Sequence, residues 1–130
     1  RLNPNDNQGN RYDLLHLLLQ HGRDEEAASL LDTYAGDYTA EWCYARALWS
    51  FRQQGPSHHA DELLAEALKC NAFVPAYLLG RRRIPKQLPE TIGFGDNNEA
   101  IACAVEYKAI WQQTAGALDW LRSSLGKQPA

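Results

Sequence analysis

Residues 12–34 read YDLLHLLLQHGRDEEAASLLDTY, and residues 45–67 read ARALWSFRQQGPSHHADELLAEA. The two stretches carry apolar or small residues and one glycine at matching positions, 33 residues apart. The first set is Leu14, Leu15, Leu18, Gly22, Ala27, Leu31 and Tyr34, and the second is Ala47, Leu48, Phe51, Gly55, Ala60, Leu64 and Ala67. In each stretch the glycine separates two segments whose apolar residues have helical spacing. This pattern predicts two helix–turn–helix repeats that stack on one another.

Helix-start signals predict further helices in the rest of the chain. Thr39 and Ser57 stand where the third and fourth helices need an N-terminal cap, and Asp96 or Asn97 precedes a segment rich in alanine. A last amphipathic segment follows, and no segment shows convincing strand alternation. The sequence therefore predicts an all-α fold of about seven helices.

The predicted third repeat is irregular. Pro75 opens a short helix, and the segment 83–95, rich in proline and glycine, predicts a long loop. We expect a single domain with repeat 1 at about residues 7–35, repeat 2 at about 39–71, irregular repeat 3 at about 74–112 and a capping helix at about 114–125.

The first two units resemble tetratricopeptide repeats in their period and in the placement of glycine, alanine and aromatic residues. One departure is Arg11, which stands where that family usually has a large apolar residue. Residues 72–121, from VPAYLLGRRRIP to GALDWL, are similar to the end of the suppressor-of-tumorigenicity-seven family and its bacterial relatives. The resemblance implies a tetratricopeptide-like α-α superhelix of about three helical hairpins with a C-terminal capping helix, and no established chemistry.

Length and charge restrict the classes of function. A chain of 130 residues is expected to form one domain, and its net charge of -3 argues against general binding to nucleic acid or to anionic membranes. No run of about 18 apolar residues predicts a membrane span. Because the sequence begins at Arg1 and contains no Met, we expect it to be a C-terminal fragment excised from a longer protein.

Residues capable of chemistry form no recognisable catalytic or metal motif. Cys43, Cys70 and Cys103 each stand in a helical, mostly apolar context, which predicts buried reduced thiols in a cytoplasmic protein. The close ligand spacing of a zinc site is missing, and the adjacent His58 and His59 point apart on a helix. We therefore expect no metal, no cofactor and no enzymatic activity.

The resemblance also selects candidate binding residues, because the first helix of each tetratricopeptide-like pair lines a concave groove. The groove-side positions are Tyr12, His16, Gln20, Trp42, Arg46, Trp49, Gln53, Leu78 and Arg82. Trp and Arg are enriched in binding hot spots. We expect the groove to bind a peptide or a partner helix, with Arg46 and Arg82 favouring an acidic peptide or a C-terminal carboxylate.

Three alternatives remain open at this point. First, each of Trp42 and Trp49, taken separately, either lines the groove or packs in the core, since core and groove differ by one step of helical phase. Second, the groove surface either binds a partner or is buried in a homodimer, and the homodimer would make the chain a structural or oligomerisation domain. The tract Arg81, Arg82 and Arg83 is either a solvated helix end, where cations complement the helix dipole, or an anion clamp.

Overall fold

A computed structural model describes residues 7–127 of the chain and the side chains of residues 10–125. In this part of the chain the secondary structure is entirely helical, with no strand. The helices are α1 (Asn7–Gln20), α2 (Asp24–Thr33), α3 (Ala40–Gln54), α4 (His58–Cys70), α5 (Val74–Leu78), α6 (Asn97–Gln113) and α7 (Ala117–Lys127). The prediction of an all-α fold with about seven helices is confirmed.

The predicted helix caps are present. The side-chain oxygens of Thr39, Ser57 and Asp96 each accept a hydrogen bond from the backbone N–H three residues further on, at 3.4, 3.1 and 2.7 Å. Asp96, not Asn97, is therefore the cap of α6. Between the helices of the first two pairs, Gly22 and Gly55 have φ angles of 72° and 68°, a conformation that side-chain-bearing residues rarely adopt.

The helices pair as the period predicts: α1 packs on α2, α3 packs on α4, and α2 packs on α3. Ala27 and Ala60 are fully buried, as expected for positions where two helices approach closely. One matched pair of positions differs, because Ala47 is buried whereas Leu14 is 46% exposed. Helix α1 lies against α2, α3 and α6, whereas α3 lies against α1, α2 and α6 and also against α4, with which it makes its most extensive contact.

Helix α6 takes a position that the repeat pattern does not specify. It packs on α5, and also on α1 and α3, the first helices of the two regular pairs. Tyr107 and Trp111 of α6 are fully buried. Helix α7 joins this layer through Trp120, whose ring stacks on Phe51 of α3 at a centroid distance of 4.6 Å and on Trp111 at 6.1 Å. Helix α6 thus covers one face of α1 and α3.

The close helix contacts at Ala27 and Ala60 can be tested by enlarging each side chain. We expect Ala27→Leu and Ala60→Leu each to lower the free energy of unfolding by about 1–3 kcal/mol, because extra methylenes do not fit a packed contact. Urea unfolding followed by circular dichroism measures the change. Ala109→Leu, at an exposed position of α6, is the matched control. Unchanged midpoints for both core variants would contradict the repeat register.

Candidate interaction surface

An open groove lies between α2 and α4 and is bordered by α3. Its volume is about 560 Å³, which is within the usual range for a ligand-binding cleft. Its lining residues, which define what is called here the α2–α4 groove, are Ala28, Ser29, Leu31, Asp32, Ala35, Tyr38, Arg46, Trp49, His59, Leu63 and Glu66. The lining is part apolar and part charged.

Trp49 of α3 is anchored at one end of the groove. Its indole Nε1 donates a hydrogen bond of 2.9 Å to the backbone carbonyl of Asp24, at the start of α2. The carboxylate of Asp24 accepts further hydrogen bonds from Arg52 Nη2 at 2.7 Å and from Gln53 Nε2 at 3.0 Å. These bonds hold α2 against α3, so the half-buried Trp49 ring keeps one fixed position.

Arg46, one turn before Trp49, brings a positive charge to the groove. Its Nη2 donates to the backbone carbonyls of Ala35 and Asp37, both at 3.3 Å. The guanidinium also lies 5.9 Å from the ring centroid of Tyr38, a side chain that is 60% exposed. Among the described residues, the hydrogen-bond acceptors of Arg46 are neutral carbonyls, so a carboxylate from a partner could pair with its charge.

A polar network holds the loop that carries Tyr38. The Asp37 carboxylate accepts hydrogen bonds from Tyr12 Oη at 2.6 Å, from Arg11 Nη2 at 2.8 Å and from the Thr39 backbone N–H at 2.9 Å. The Arg11 guanidinium lies over the ring of Tyr34, 4.3 Å from its centroid. A planar cation stacked on aromatic rings thus fills the place where the tetratricopeptide pattern usually has a large apolar side chain.

The Asp37 carboxyl has a pKa below its ordinary value. Burial disfavours the charged carboxylate, but the hydrogen bonds from Tyr12, Thr39 and Arg11 stabilise it more strongly. The pKa of Tyr12 is raised, because burial and its hydrogen bond to Asp37 favour the neutral phenol. At neutral pH the network therefore consists of a carboxylate with fixed donors, an arrangement that rigidifies the loop.

The residues predicted to line one groove do not share one surface. Arg46 and Trp49 line the α2–α4 groove. Trp42 is fully buried, with its ring edge-on to Tyr12 at 5.5 Å and to Tyr34 at 6.0 Å. Trp42 therefore belongs to the core, and Trp49 lines the groove. Tyr12 is half-buried in the Asp37 network.

The other candidates lie elsewhere. His16 contacts α6, with its Nε2 at 2.7 Å from the carbonyl oxygen of Glu106. Gln53, near the end of α3, contacts the start of α2 by donating a hydrogen bond to the Asp24 carboxylate. Arg82 is exposed beyond α5, and its Nη1 donates to Asn97 Oδ1 of α6 at 3.2 Å. The predicted positions are therefore divided between the open α2–α4 groove, the core and the contacts with α6.

Sequence reasoning missed the remaining side chains of the groove, among them Tyr38, His59 and Leu63. Tyr38 lies in the short loop after Gly36, and the orientation of a loop side chain cannot be predicted from helical periodicity. His59 and Leu63 are four residues apart and so share one face of α4. That spacing was the available signal, but only the packing of α4 on α3 shows that this face borders Trp49.

The described residues contain no group of His, Cys, Asp and Glu side chains that could hold a metal ion. Nor is any helix in this part of the chain sufficiently long and apolar to cross a membrane. The pKa values of Tyr44, Cys103 and Tyr107 are raised, and in each case burial is the main cause. These three groups lie in the core and away from the α2–α4 groove.

Comparison of the chain with protein-family models, with curated proteins and with solved structures finds no match. The resemblances to tetratricopeptide repeats and to the suppressor-of-tumorigenicity-seven family therefore stay expectations. The function has to be inferred from the geometry of the α2–α4 groove.

The Asp37 network predicts a pH-dependent contribution to stability. Because the pKa of Asp37 is lowered on folding, its contribution is complete above the unfolded value of 3.8 and is lost as pH falls through the lower folded value. We expect Asp37→Asn to lower the free energy of unfolding by about 2 kcal/mol at neutral pH. Urea unfolding of both proteins across the acid range should show this difference narrowing only below pH 3.8.

The control is Asp32→Asn, which removes an exposed carboxylate from α2. It should leave the free energy of unfolding nearly unchanged at every pH. A difference between wild type and Asp37→Asn that stays constant down to the lowest pH would show that Asp37 does not act through its charge.

Proposed function

We propose that this chain is a protein-interaction module that binds a peptide or partner helix in the α2–α4 groove. The observation that carries the proposal is the juxtaposition of Trp49, Tyr38 and Arg46 on one open surface. Trp, Tyr and Arg are the residue types that dominate binding hot spots. Trp49 supplies an apolar anchor for the bound segment. Tyr38 supplies an exposed aromatic ring that the segment can bury, and Arg46 supplies a positive charge that can pair with a carboxylate of the segment.

The rigidity of the groove supports binding. The Asp24 contacts fix α2 against α3 at one end, and the Asp37 network fixes the loop at the other. A surface whose side chains are already held loses less conformational entropy on association. Such preorganisation favours recognition of one extended or helical segment.

The charges of the groove restrict the partner. Arg46 favours a carboxylate, either an acidic side chain or the C-terminus of a peptide. Asp32 and Glu66 also line the groove, and they disfavour a ligand that is acidic along its whole length. We therefore propose a segment with one carboxylate directed at Arg46 and with neutral or basic residues elsewhere.

A binding role is favoured over catalysis by where the perturbed titratable groups lie. Catalytic acids and bases combine a shifted pKa with a position in a cleft. Within the described residues burial is the main cause of the raised pKa values of Cys43, Tyr44, Cys103 and Tyr107, and none of these residues lines the groove. The shifted pKa values of Arg11, Tyr12 and Asp37 belong to one structural network.

The second candidate is a homodimer that covers the same groove. Tyr38, an aromatic side chain that lines the groove and is 60% exposed, favours it as the alternative. The two candidates differ in the mass in solution. A concentration-independent mass of 14.6 kDa supports peptide binding, and twice that mass supports the dimer.

The peptide-binding proposal is tested by selecting ligands from a random dodecapeptide library with free C-termini. Labelled peptides that bind the full chain are then titrated against variants by fluorescence anisotropy. We expect Arg46→Ala to weaken binding at least tenfold, because the loss of a charged partner from a contact costs about 2–5 kcal/mol. Tyr38→Ala should also weaken binding. For a peptide whose C-terminal carboxylate pairs with Arg46, amidation of that carboxylate should weaken binding as much as Arg46→Ala does.

Arg122→Ala is the matched control, because Arg122 is an exposed arginine on α7, outside the groove. It should bind as wild type does, and thermal melts of all variants should coincide to within a few degrees. Selected peptides that bind Arg46→Ala and Tyr38→Ala as tightly as wild type would place the binding surface elsewhere.

A further inference from the structure

Two cysteines that are distant in sequence meet at the open end of the α3–α4 pair. Cys43 lies in the first turn of α3, and Cys70 is the last residue of α4. Because the two helices run antiparallel, these ends are adjacent, and the two Sγ atoms are 2.8 Å apart. A disulfide bond has an S–S length of about 2.05 Å, so the sulfurs lie about 0.8 Å from bonding distance. We propose that Cys43 and Cys70 form a reversible intramolecular disulfide that closes the open end of this pair.

The backbone around the two cysteines is already held together. Tyr44, next to Cys43, donates a hydrogen bond from Oη to the backbone carbonyl of Asn71, next to Cys70, at 2.6 Å. The side chain of Asn71 is fixed in turn by a 2.9 Å hydrogen bond to Glu99. The chain segments that carry the thiols are therefore pinned beside each other, and bond formation needs little backbone movement.

The two thiols differ in access to solvent, which sets the order of the reaction. Cys70 is half-buried, whereas Cys43 is 2% exposed. Burial, together with the neighbouring Cys70, raises the pKa of the Cys43 thiol. Cys70 is therefore the thiol that meets an oxidant, and Cys43 is the resolving thiol.

With hydrogen peroxide as the oxidant, the reaction proceeds in two balanced steps. The Cys70 thiol loses its proton, and the thiolate attacks one peroxide oxygen. The O–O bond breaks, Cys70 becomes a sulfenic acid, and the leaving hydroxide takes up the proton lost by the thiol to form water. The Cys43 sulfur then attacks the Cys70 sulfur, the S–O bond breaks, and the proton of Cys43 leaves with the hydroxide as a second water. Two thiols lose two electrons in total, and one peroxide is reduced to two waters.

The third cysteine is an internal control. Cys103 of α6 is fully buried, so it should neither meet peroxide nor exchange with a solvent thiol. The proposal therefore predicts one specific pair and one cysteine that stays reduced.

Mass spectrometry of the full chain tests the pairing. The folded protein is treated with a small excess of hydrogen peroxide, denatured, alkylated with iodoacetamide and digested. Trypsin places the three cysteines in the separate peptides 24–46, 70–81 and 87–108. We expect a loss of two hydrogens, one alkylated thiol in peptide 87–108, and a covalent link between peptides 24–46 and 70–81. Dithiothreitol should restore three alkylatable thiols.

Two variants keep the test independent of folding defects. Cys103→Ala should give the same linked peptides, because Cys103 takes no part in the bond. Cys70→Ser, at a half-buried position, should give no link and leave Cys43 reduced. Three reduced thiols after peroxide treatment, a link that includes Cys103, or a link between two chains would each overturn the proposal.

The thermal midpoint provides a second, independent readout. A disulfide within the native geometry constrains the unfolded chain, so the oxidised protein should melt at least about 5 °C above the reduced protein. An oxidised protein that melts at or below the reduced midpoint would show that the bond forms only in a distorted chain, and the proposal would fail.

Discussion

The buried carboxylate of Glu99 is the contact on which the arrangement of the helices depends. Its Oε2 accepts a hydrogen bond from the backbone N–H of Ala40, at the start of α3, at 3.1 Å. Its Oε1 accepts from Asn71 Nδ2 at 2.9 Å and from the Gly95 backbone N–H at 2.8 Å. A carboxylate that is only 7% exposed is stable only with such donors. Glu99 thereby joins the start of α3, the end of α4 and the loop before α6.

Asn71 extends this junction to the next part of the chain. Its backbone carbonyl accepts from Tyr44, its Nδ2 donates to the carbonyl of Asp96 at 2.8 Å, and its Oδ1 accepts from the backbone N–H of Phe73 at 2.9 Å. Asn71, directly after α4, therefore bonds through its side-chain amide both to the residues that lead into α5 and to the start of α6. With α3 fixed in this way against α4 and α6, Arg46 and Trp49 have a defined direction toward the groove.

The local features of the fold could be predicted from the sequence, because their causes are local. A cap such as Thr39 or Ser57 needs only a hydroxyl at the right position, and a turn such as Gly55 needs only a residue tolerant of positive φ. The distinction between Trp42 and Trp49 could not be predicted. Seven residues apart, they lie on almost the same side of α3, about 20° apart in phase. They differ in their neighbours: Trp42 packs against Tyr12 and Tyr34, whereas Trp49 lies beside the start of α2. Those neighbours depend on how α1 and α2 pack on α3.

The placement of α6 was equally out of reach, because its contacts with α1 and α3 join residues far apart in sequence. The placement of α6 also affects the order in which the fold can be completed during translation. Helix α6 begins at Asn97, so the surfaces of α1 and α3 that it covers leave the ribosome well before their cover does. Until α6 has been translated, the nascent chain exposes this apolar surface to solvent. That interval is when chaperones can bind it and when two nascent chains can associate wrongly.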